Sequence, residues 1–256
     1  MSLHLSVLAD SDQLSQAAAD RCVRCAEQAI ASRGRFNVAL SGGSTPAGLY
    51  QTLAAAPFRE RTDWTRWHVF WGDERVVPSS DPRSNFLLAR ENLLLRVPIP
   101  AEQIHRVPTE LEDPLRIADA YESEIRSFFE VPPGEVPMFD FMLQGLGTDG
   151  HTASLFPGAP ALQETERLVI ASPPGLLPPP VPRVTFTLPL INAAQDVVFL
   201  VASSEKASVL ARVLAGDATL PAARVHPSNG ELWWFADRAA ASELGADLAS
   251  VGPPRG

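Results

Sequence analysis

Short apolar runs alternate with longer amphipathic stretches along the chain. Runs rich in Val, Ile, Phe and Trp predict strands at residues 3–8, 36–40, 67–71, 139–144, 168–171, 184–188, 197–202 and 232–236. Helices are predicted between them, at residues 13–32, 46–56, 84–95, 114–130 and 205–215. This alternation is typical of a mostly parallel sheet with helices on both faces. The pattern therefore predicts a doubly wound, Rossmann-like α/β fold, and we expect residues 1–256 to form a single α/β domain.

Composition and charge limit the classes of molecule that the protein is expected to bind. The chain has 256 residues, of which 45% are hydrophobic, and its net charge of -9 opposes binding to a nucleic-acid backbone. The N-terminal residues lack a signal-peptide pattern, and no apolar stretch approaches the ~20 residues that span a bilayer. We therefore expect a cytoplasmic protein without nucleic-acid or membrane partners. The sequence does not specify the oligomeric state; we take a monomer as the expectation and leave a dimer open.

Cys22 and Cys25 form a C-x-x-C pair, a pattern that also occurs in redox and zinc sites. The chain has two cysteines, so a second pair for a four-thiolate site is missing. Ala18, Cys22, Cys25 and Ala29 recur at helical spacing along an apolar stripe. The spacing favours buried structural thiols.

A glycine turn, SGGSTPAGLY, follows the second predicted strand. Gly42 and Gly43 allow a tight turn, and Pro46 suits the first turn of the next helix. Backbone amides at this helix N-terminus, with the hydroxyls of Ser41, Ser44 and Thr45, can bind a phosphate. An ordinary structural turn is the alternative, and the missing Walker lysine argues against a nucleotide.

Three consecutive charged residues, Asp73, Glu74 and Arg75, follow the aromatic-rich third strand. Ligands gather at the carboxyl ends of parallel strands, and the guanidinium of Arg75 can hold an oxyanion or a carboxylate. A solvated turn is the alternative. The position at a strand end favours a site.

The segment GLGTDGHTASLFPG places Asp149 and His151 among glycines, and we expect a helix to follow it. An aspartate can hold a histidine in one tautomer, so that the histidine acts near neutral pH as a general base on water. A histidine that caps a turn is the alternative. The remaining histidines lie outside comparable loops and are interpreted as structural: His4, His68, His105 and His226.

Residues 173–182, PPGLLPPPVP, are too rich in proline for a helix or a central strand. We interpret them as an extended surface loop that ends at Arg183. The loop either fixes the approach of Arg183 to a site or is an ordinary connection, and the sequence does not separate these alternatives.

Three motifs, SGGSTP, GDERVVP with Ser84 and Asn85 downstream, and GLGTDGHTASLFPG, closely resemble the 6-phosphogluconolactonase family. PRVTFTLPLIN, EKA and ELWWFAD extend the resemblance over nearly the whole chain. The resemblance implies a fold of the sugar-phosphate isomerase and deaminase type. It also implies hydrolysis of a small-molecule sugar-phosphate lactone, 6-phospho-D-glucono-1,5-lactone, in the pentose phosphate pathway, with neither a metal nor a cofactor.

The resemblance also implies roles for individual residues. The substrate phosphate is expected at the glycine turn, with two cations as its partners; the residues concerned are Gly42, Gly43, Ser44, Thr45, Arg183 and Lys206. His151 is then the base and Asp149 orients it. Arg75 is expected to stabilise charge near the lactone carbonyl, although it could equally serve the phosphate or order its loop.

One departure from the family lies before Lys206, where Ser203 and Ser204 stand in place of the usual glycine. We expect a small backbone adjustment there. This departure bears on how Lys206 is aimed and leaves the reaction unchanged.

Two other functions compete with lactone hydrolysis. Glucosamine-6-phosphate deaminases share the fold and the Asp-Gly-His, but carry a glutamate before the proline of a GHIAFNEPG-like sequence, where this chain has Phe156. An apolar ring cannot relay a proton, so ring opening would be lost. A non-catalytic sugar-phosphate sensor is the second alternative, and the intact Asp149, His151 and Arg75 argue against it.

Overall fold

The computed structural model describes residues 2–175 and 179–245, which contain two β-sheets. The strands are β1 (Ser2–Leu8), β2 (Phe36–Leu40), β3 (Trp67–Trp71), β4 (Asp73–Arg75), β5 (Phe141–Gly145), β6 (Val169–Ser172), β7 (Arg183–Phe186), β8 (Asp196–Val201) and β9 (Glu231–Asp237). Six of them form a parallel sheet in the order β1-β9-β8-β5-β2-β3, and the other three form a smaller antiparallel sheet in the order β4-β7-β6.

Helices cover both faces of the large sheet. They are α1 (Ser11–Arg33), α2 (Ser44–Leu53), α3 (Asn85–Ala89), α4 (Pro114–Phe129), α5 (Leu188–Asn192) and α6 (Ala207–Leu214). Successive side chains of a strand point to opposite faces. On β3, Phe70 packs on Phe128 of α4, whereas its neighbour Trp71 packs on Phe86 of α3. The doubly wound α/β fold predicted from the sequence is therefore confirmed.

Gly72 joins the two sheets. Its N–H donates to the carbonyl of Leu40 on β2 at 2.9 Å, and its carbonyl accepts from the N–H of Phe186 on β7 at 2.7 Å. The sequence pattern predicted β6 and β7 but did not separate them from the large sheet. The antiparallel pairing of β7 with β4 places Arg75 and Arg183 side by side.

Predicted strands lie within two residues of the observed ones, with three corrections. The polar strand β4 was missed. Leu188 begins α5 and does not end a strand, because Pro189 lies in the first turn of that helix. The helix expected directly after His151 is absent from the described residues, where turns and a single 3₁₀ turn at Pro160–Gln163 occur instead.

The predicted burial of both thiols is confirmed. Cys22 and Cys25 lie on the buried face of α1, and the Cys25 Sγ donates to the carboxylate of Asp196 at 2.9 Å. Burial, reinforced by the charge of Asp196, raises the pKa of Cys25. Of the helices in residues 2–175 and 179–245, none has the length and apolar character to cross a membrane.

Candidate active site

The loops that follow β2, β5 and β8 meet at the carboxyl edge of the large sheet, because β5 pairs with both β2 and β8. Ligands gather at this edge in open α/β sheets. A cavity of about 210 Å³ lies here. It is lined by Ser41, Gly42, Gly43, Asp73, Arg75, Asn85, Gly145, Leu146, Gly147, His151, Ala153, Arg183 and Lys206. The cavity therefore brings together residues from all three sequence motifs.

The glycine turn forms one wall of this cavity. Gly43 precedes the first residue of α2 with φ 109°, a conformation that favours glycine, and no side chain caps the helix. The first amides of a helix have no acceptor within the helix. The hydroxyl of Tyr50 fixes the start of the turn, since it donates to the carbonyl of Ser41 at 2.6 Å and accepts from its N–H at 3.1 Å. This uncapped N-terminus is suited to an anion.

Ser44 and Thr45 are the first two residues of α2, and neither is among the residues that line the cavity. Ser44 is exposed and Thr45 is half-buried. The structure thus places Gly42 and Gly43 at the cavity, with the two hydroxyl residues beside it. The phosphate contact that the resemblance implies for Ser44 and Thr45 stays a prediction.

His151 and Asp149 form a close pair. The Nδ1 of His151 lies 2.6 Å from the Oδ1 of Asp149, which also accepts the N–H of His151 at 3.1 Å. Burial opposes ionisation of Asp149, but the hydrogen bonds from His151 outweigh it and hold the pKa of this carboxyl below its usual value. An ionised carboxylate only accepts, so the proton lies on Nδ1 and Nε2 of the neutral ring keeps its lone pair. This is the tautomer that a general base requires.

Gly147 makes room for this pair. A Cβ at Gly147 would overlap the Nδ1 of His151 and lie 2.6 Å from the Oδ1 of Asp149. The loop is further closed by hydrogen bonds from Gly147 N–H to the carbonyl of His151, at 2.8 Å, and from Gly150 N–H to the carbonyl of Gly147, at 3.0 Å. Glycine at 147 is therefore a steric requirement of the pair.

Sequence reasoning did not select Asp73 and Asn85 as contacts, although both line the cavity. The Asp73 carboxylate is buried and accepts from Ser154 Oγ at 2.6 Å and from Asn85 Nδ2 at 3.1 Å. A Cβ on Gly42 would overlap the side-chain oxygen of Asn85, so Asn85 packs directly on the glycine turn. The sequence feature that could have identified Asp73 is its position at the end of a strand. For Asn85 it is the Ser84-Asn85 pair downstream of the second motif.

Glu74 supports this arrangement from behind. Its carboxylate accepts the N–H groups of Arg75, Asn85 and Phe86 at 2.7 to 2.8 Å, and the hydroxyl of Ser84 at 3.0 Å. Burial raises the pKa of Glu74 and these four donors oppose the change. Glu74 therefore fixes β4 to the start of α3.

Three cations line the cavity: Arg75, Arg183 and Lys206. None of them forms a salt bridge within the described part of the chain. Burial lowers the pKa of Arg183 and that of Lys206, and the nearby charge of Asp149 opposes both changes. Arg183 has an exposed fraction of only 4%. Cations held at a cavity without carboxylate partners are suited to a multiply charged anion.

The loop before Lys206 shows the consequence of the missing glycine. Ser203 adopts φ 88° and ψ 141°, a region that is strained for residues other than glycine. Its N–H donates to both carboxylate oxygens of Asp237, at 3.3 and 3.1 Å. We expected a small backbone adjustment here, whereas the structure shows a glycine-like conformation that a serine occupies under strain.

The proline-rich loop is described only in part. Residues 176–178 of the predicted 173–182 loop lie outside the described residues. The carbonyl of Pro179 accepts from the guanidinium of Arg183 at 3.1 Å. The end of the loop therefore contacts Arg183.

Within residues 2–175 and 179–245, no group of three or more His, Cys, Asp or Glu side chains could hold a metal ion. His68 and His105 lie near each other on the α4 face of the sheet, beside Phe70 and Phe128.

The fold and the cavity together define an α/β protein of the doubly wound class, with three cations and a His–Asp pair at the carboxyl edge of its large sheet. The sequence profile described as glucosamine-6-phosphate isomerases/6-phosphogluconolactonase matches residues 9–234. The chain therefore belongs to this family.

Individual relatives agree with this assignment. The 6-phosphogluconolactonase of Nostoc sp. is 45% identical over 244 residues, which cover 94% of this chain and 98% of the relative. A solved 6-phosphogluconolactonase from Trypanosoma brucei matches with a TM-score of 0.86 and 31% identity, covering 95% of this chain and 99% of that one. These findings confirm the predicted resemblance and the prediction of an enzyme of this kind.

The fold alone does not separate this chain from the deaminases. A monomeric glucosamine-6-phosphate deaminase is 20% identical, with a TM-score of 0.77 over 95% of this chain and the whole length of that protein, 100%. A likeness at this identity shows a shared fold. The site must therefore decide between the two activities.

Proposed function

We propose that this protein hydrolyses 6-phospho-D-glucono-1,5-lactone to 6-phosphogluconate, the oxidative-branch step of the pentose phosphate pathway that the resemblance implies. The observation that carries the proposal is the pair of His151 and Asp149 at a cavity that also holds three cations and the glycine turn. A lactone needs an activated water and a site for the developing oxyanion. A phosphate dianion needs cations and oriented amides.

In the proposed reaction the imidazole of His151 acts first as a base and then as an acid. Nε2 of His151 takes a proton from water as the oxygen attacks the lactone carbonyl carbon, and Asp149 stabilises the imidazolium that forms. The tetrahedral intermediate then collapses, the bond from this carbon to the ring oxygen breaks, and the imidazolium returns its proton to that oxygen. The product is the open-chain acid.

Arg75 supports charge at the carbonyl and Arg183 with Lys206 holds the phosphate. Arg75 and Asp73 both line the cavity. The glycine turn supplies backbone amides from a different segment of the chain, at Gly43 and the first turn of α2. This division of roles separates one end of the substrate from the other.

The deaminase is the competing activity. Phe156 occupies the place of the glutamate expected in deaminases, and its side chain packs beside His151 with ring centroids 5.0 Å apart. A phenyl ring has no proton to relay, so this position favours lactone hydrolysis.

The test uses freshly prepared lactone and glucosamine 6-phosphate in parallel. We expect lactone hydrolysis well above the spontaneous rate and no ammonia release from the amino sugar. Ammonia release without lactone hydrolysis would favour the deaminase. Binding of 6-phosphogluconate with neither reaction would favour a non-catalytic sensor.

A further inference from the structure

Phe156 contacts two groups of the proposed site. Its ring centroid lies 5.0 Å from that of the His151 imidazole, and the Cζ of Arg183 lies 5.5 Å from the same ring centroid. An aromatic face attracts a guanidinium within about 6 Å. One buried ring therefore touches both the proposed base and a proposed phosphate-binding cation.

The loop around Phe156 restricts this ring. A Cβ on Gly175 would overlap the Cε1 of Phe156, so the backbone at Gly175 passes close against the ring edge. The carbonyl of Phe156 accepts from the N–H of Ala159 at 3.1 Å. Phe156 is only 8% exposed. The ring cannot turn away from His151 and Arg183 without displacement of the neighbouring chain.

Arg183 and Asp149 carry opposite charges, and Asp149 is the second carboxylate, after Asp73, whose charge opposes the lowered pKa of Arg183. They form no ion pair within the described residues, and Asp149 is instead bonded to His151. A guanidinium binds a carboxylate through two parallel hydrogen bonds, which is a stronger contact than a single one from an imidazole. Direct pairing would therefore compete with the bond that holds the base in its tautomer.

We propose that Phe156 is a positioning residue whose ring keeps the guanidinium of Arg183 from pairing with the carboxylate of Asp149. Asp149 then stays on His151, and Arg183 stays available to the substrate anion. The identity of the substrate in this inference rests on the proposed function. The proposed role of Phe156 rests on its contacts with His151 and Arg183.

The kinetic test compares four proteins with the lactone as substrate: wild type, Phe156→Ala, Arg183→Gln and the double variant. Phe156→Ala lowers kcat by about tenfold or more, because Arg183 diverts Asp149 from the base. Arg183→Gln mainly raises KM. In the double variant no guanidinium remains to capture Asp149, so kcat rises to near that of Arg183→Gln while KM stays high.

If the losses of kcat in the two single variants multiply in the double variant, the proposal is overturned. A wild-type kcat in Phe156→Ala would overturn it as well. Phe156→Leu serves as the conservative control and retains kcat within about threefold, because a bulky apolar side chain still separates the charges. If Phe156→Ala does not fold, Phe156→Cys in both backgrounds gives the same comparison, because its side chain is also too short to separate the charges.

An NMR measurement tests the positioning role of Phe156 without substrate turnover. The proton on Nδ1 of His151, hydrogen-bonded to Asp149, gives a low-field NMR signal that is assigned by its loss in His151→Gln. We expect this signal in wild type, its loss in Phe156→Ala and its return in the double variant. A signal that persists in Phe156→Ala overturns the positioning role. Absence of lactonase activity in wild type would instead overturn the proposed function and leave this readout intact.

Discussion

Arg75 and Arg183 lie directly opposite each other on the paired antiparallel strands β4 and β7. Like charges at opposed positions of antiparallel strands repel each other. The Nε atoms of both guanidiniums are buried and lack a hydrogen-bond partner among the described residues. Burial lowers the pKa of Arg183; the charge of Asp73 opposes this change, and the charge of Arg75 adds to it. The pair is therefore destabilising in the free protein, and we expect the negative charge of a phosphate bound at Arg183 to offset this repulsion.

The first prediction concerns binding of the product anion. 6-Phosphogluconate at about 100 times its Kd stabilises the folded protein by about 2.7 kcal/mol, which raises Tm by several degrees. Differential scanning fluorimetry measures the shift. In Arg183→Gln the shift is much smaller at the same concentration, because one of the cations is lost.

Gluconate, which lacks the phosphate, is the matched control ligand. We expect little stabilisation by gluconate in either protein. Equal shifts for the two ligands, or equal shifts for wild type and Arg183→Gln, would contradict the assignment of Arg183 to the phosphate.

The second prediction concerns Gly147. Gly147→Ala lowers kcat by about 10²-fold or more, because the added methyl displaces either the imidazole of His151 or the carboxylate of Asp149. KM changes little, since the glycine turn lies on another segment. Steady-state kinetics measures both constants.

Gly72→Ala is the matched control for this substitution. A Cβ at Gly72 lies 3.7 Å or more from its neighbours, and Gly72 does not line the cavity. We expect its kcat to stay near that of wild type. A Gly147→Ala protein with normal kcat would show that the pair tolerates the methyl group.

The third prediction concerns the strained serine before Lys206. Ser203→Gly stabilises the protein by about 1 kcal/mol, because relief of strain at φ 88° exceeds the entropy cost of glycine. Urea denaturation measures the free energy of unfolding. Ser203→Ala keeps the strain and is expected to be no more stable than wild type. A destabilised Ser203→Gly protein would show that the serine side chain matters more than its backbone.

The fourth prediction concerns acid stability. Burial, with the neighbouring His105 and Arg35, lowers the pKa of His68 to about 4 from its usual 6.5. Between these values the unfolded chain binds the proton more readily, so stability is full above pH 6.5 and falls as pH decreases toward 4. Partial solvent exposure reduces the effect to about 1 kcal/mol between pH 7 and 5.

His68→Asn removes this component of the pH dependence, and urea midpoints at the two pH values measure it. The exposed His226 offers the control, since His226→Asn is expected to keep the wild-type pH dependence. The same loss of stability in His68→Asn as in wild type would assign the acid sensitivity to other groups.

The large sheet could be predicted because buried parallel strands are nearly continuous apolar runs. β4 could not, since Asp73, Glu74 and Arg75 have no apolar pattern and are held by tertiary partners. Glu74 owes its place to donors at Ser84, Asn85 and Phe86, which lie ten to twelve residues away in the chain.

The helix expected after His151 failed for a similar reason. Thr152 donates to the side chain of Gln144 at 2.8 Å and Ser154 donates to that of Asp73 at 2.6 Å, so both hydroxyls are committed to the interior. Pro157 and Gly158 then oppose a helix. The helix propensity of the segment does not reflect these hydrogen bonds to distant residues, so the sequence pattern alone predicted a helix.

The candidate site could be predicted where glycines allow the backbone to come close to another group, as at Gly147 and at the turn of Gly42 and Gly43. The roles of Asp73 and Asn85 depend on β4, so they could not be assigned before the second sheet was known. The meeting of Arg75 with Arg183 depends on the same pairing.

The most direct test of the account is the turnover of His151→Gln with freshly prepared 6-phosphogluconolactone, after subtraction of the spontaneous rate. The account predicts a loss of kcat of about 10²-fold or more with KM and Tm close to wild type, because the imidazole acts on water and does not hold the phosphate. His226→Gln is the control and keeps full activity. A His151→Gln protein with near wild-type kcat would contradict the assignment of His151 as the base.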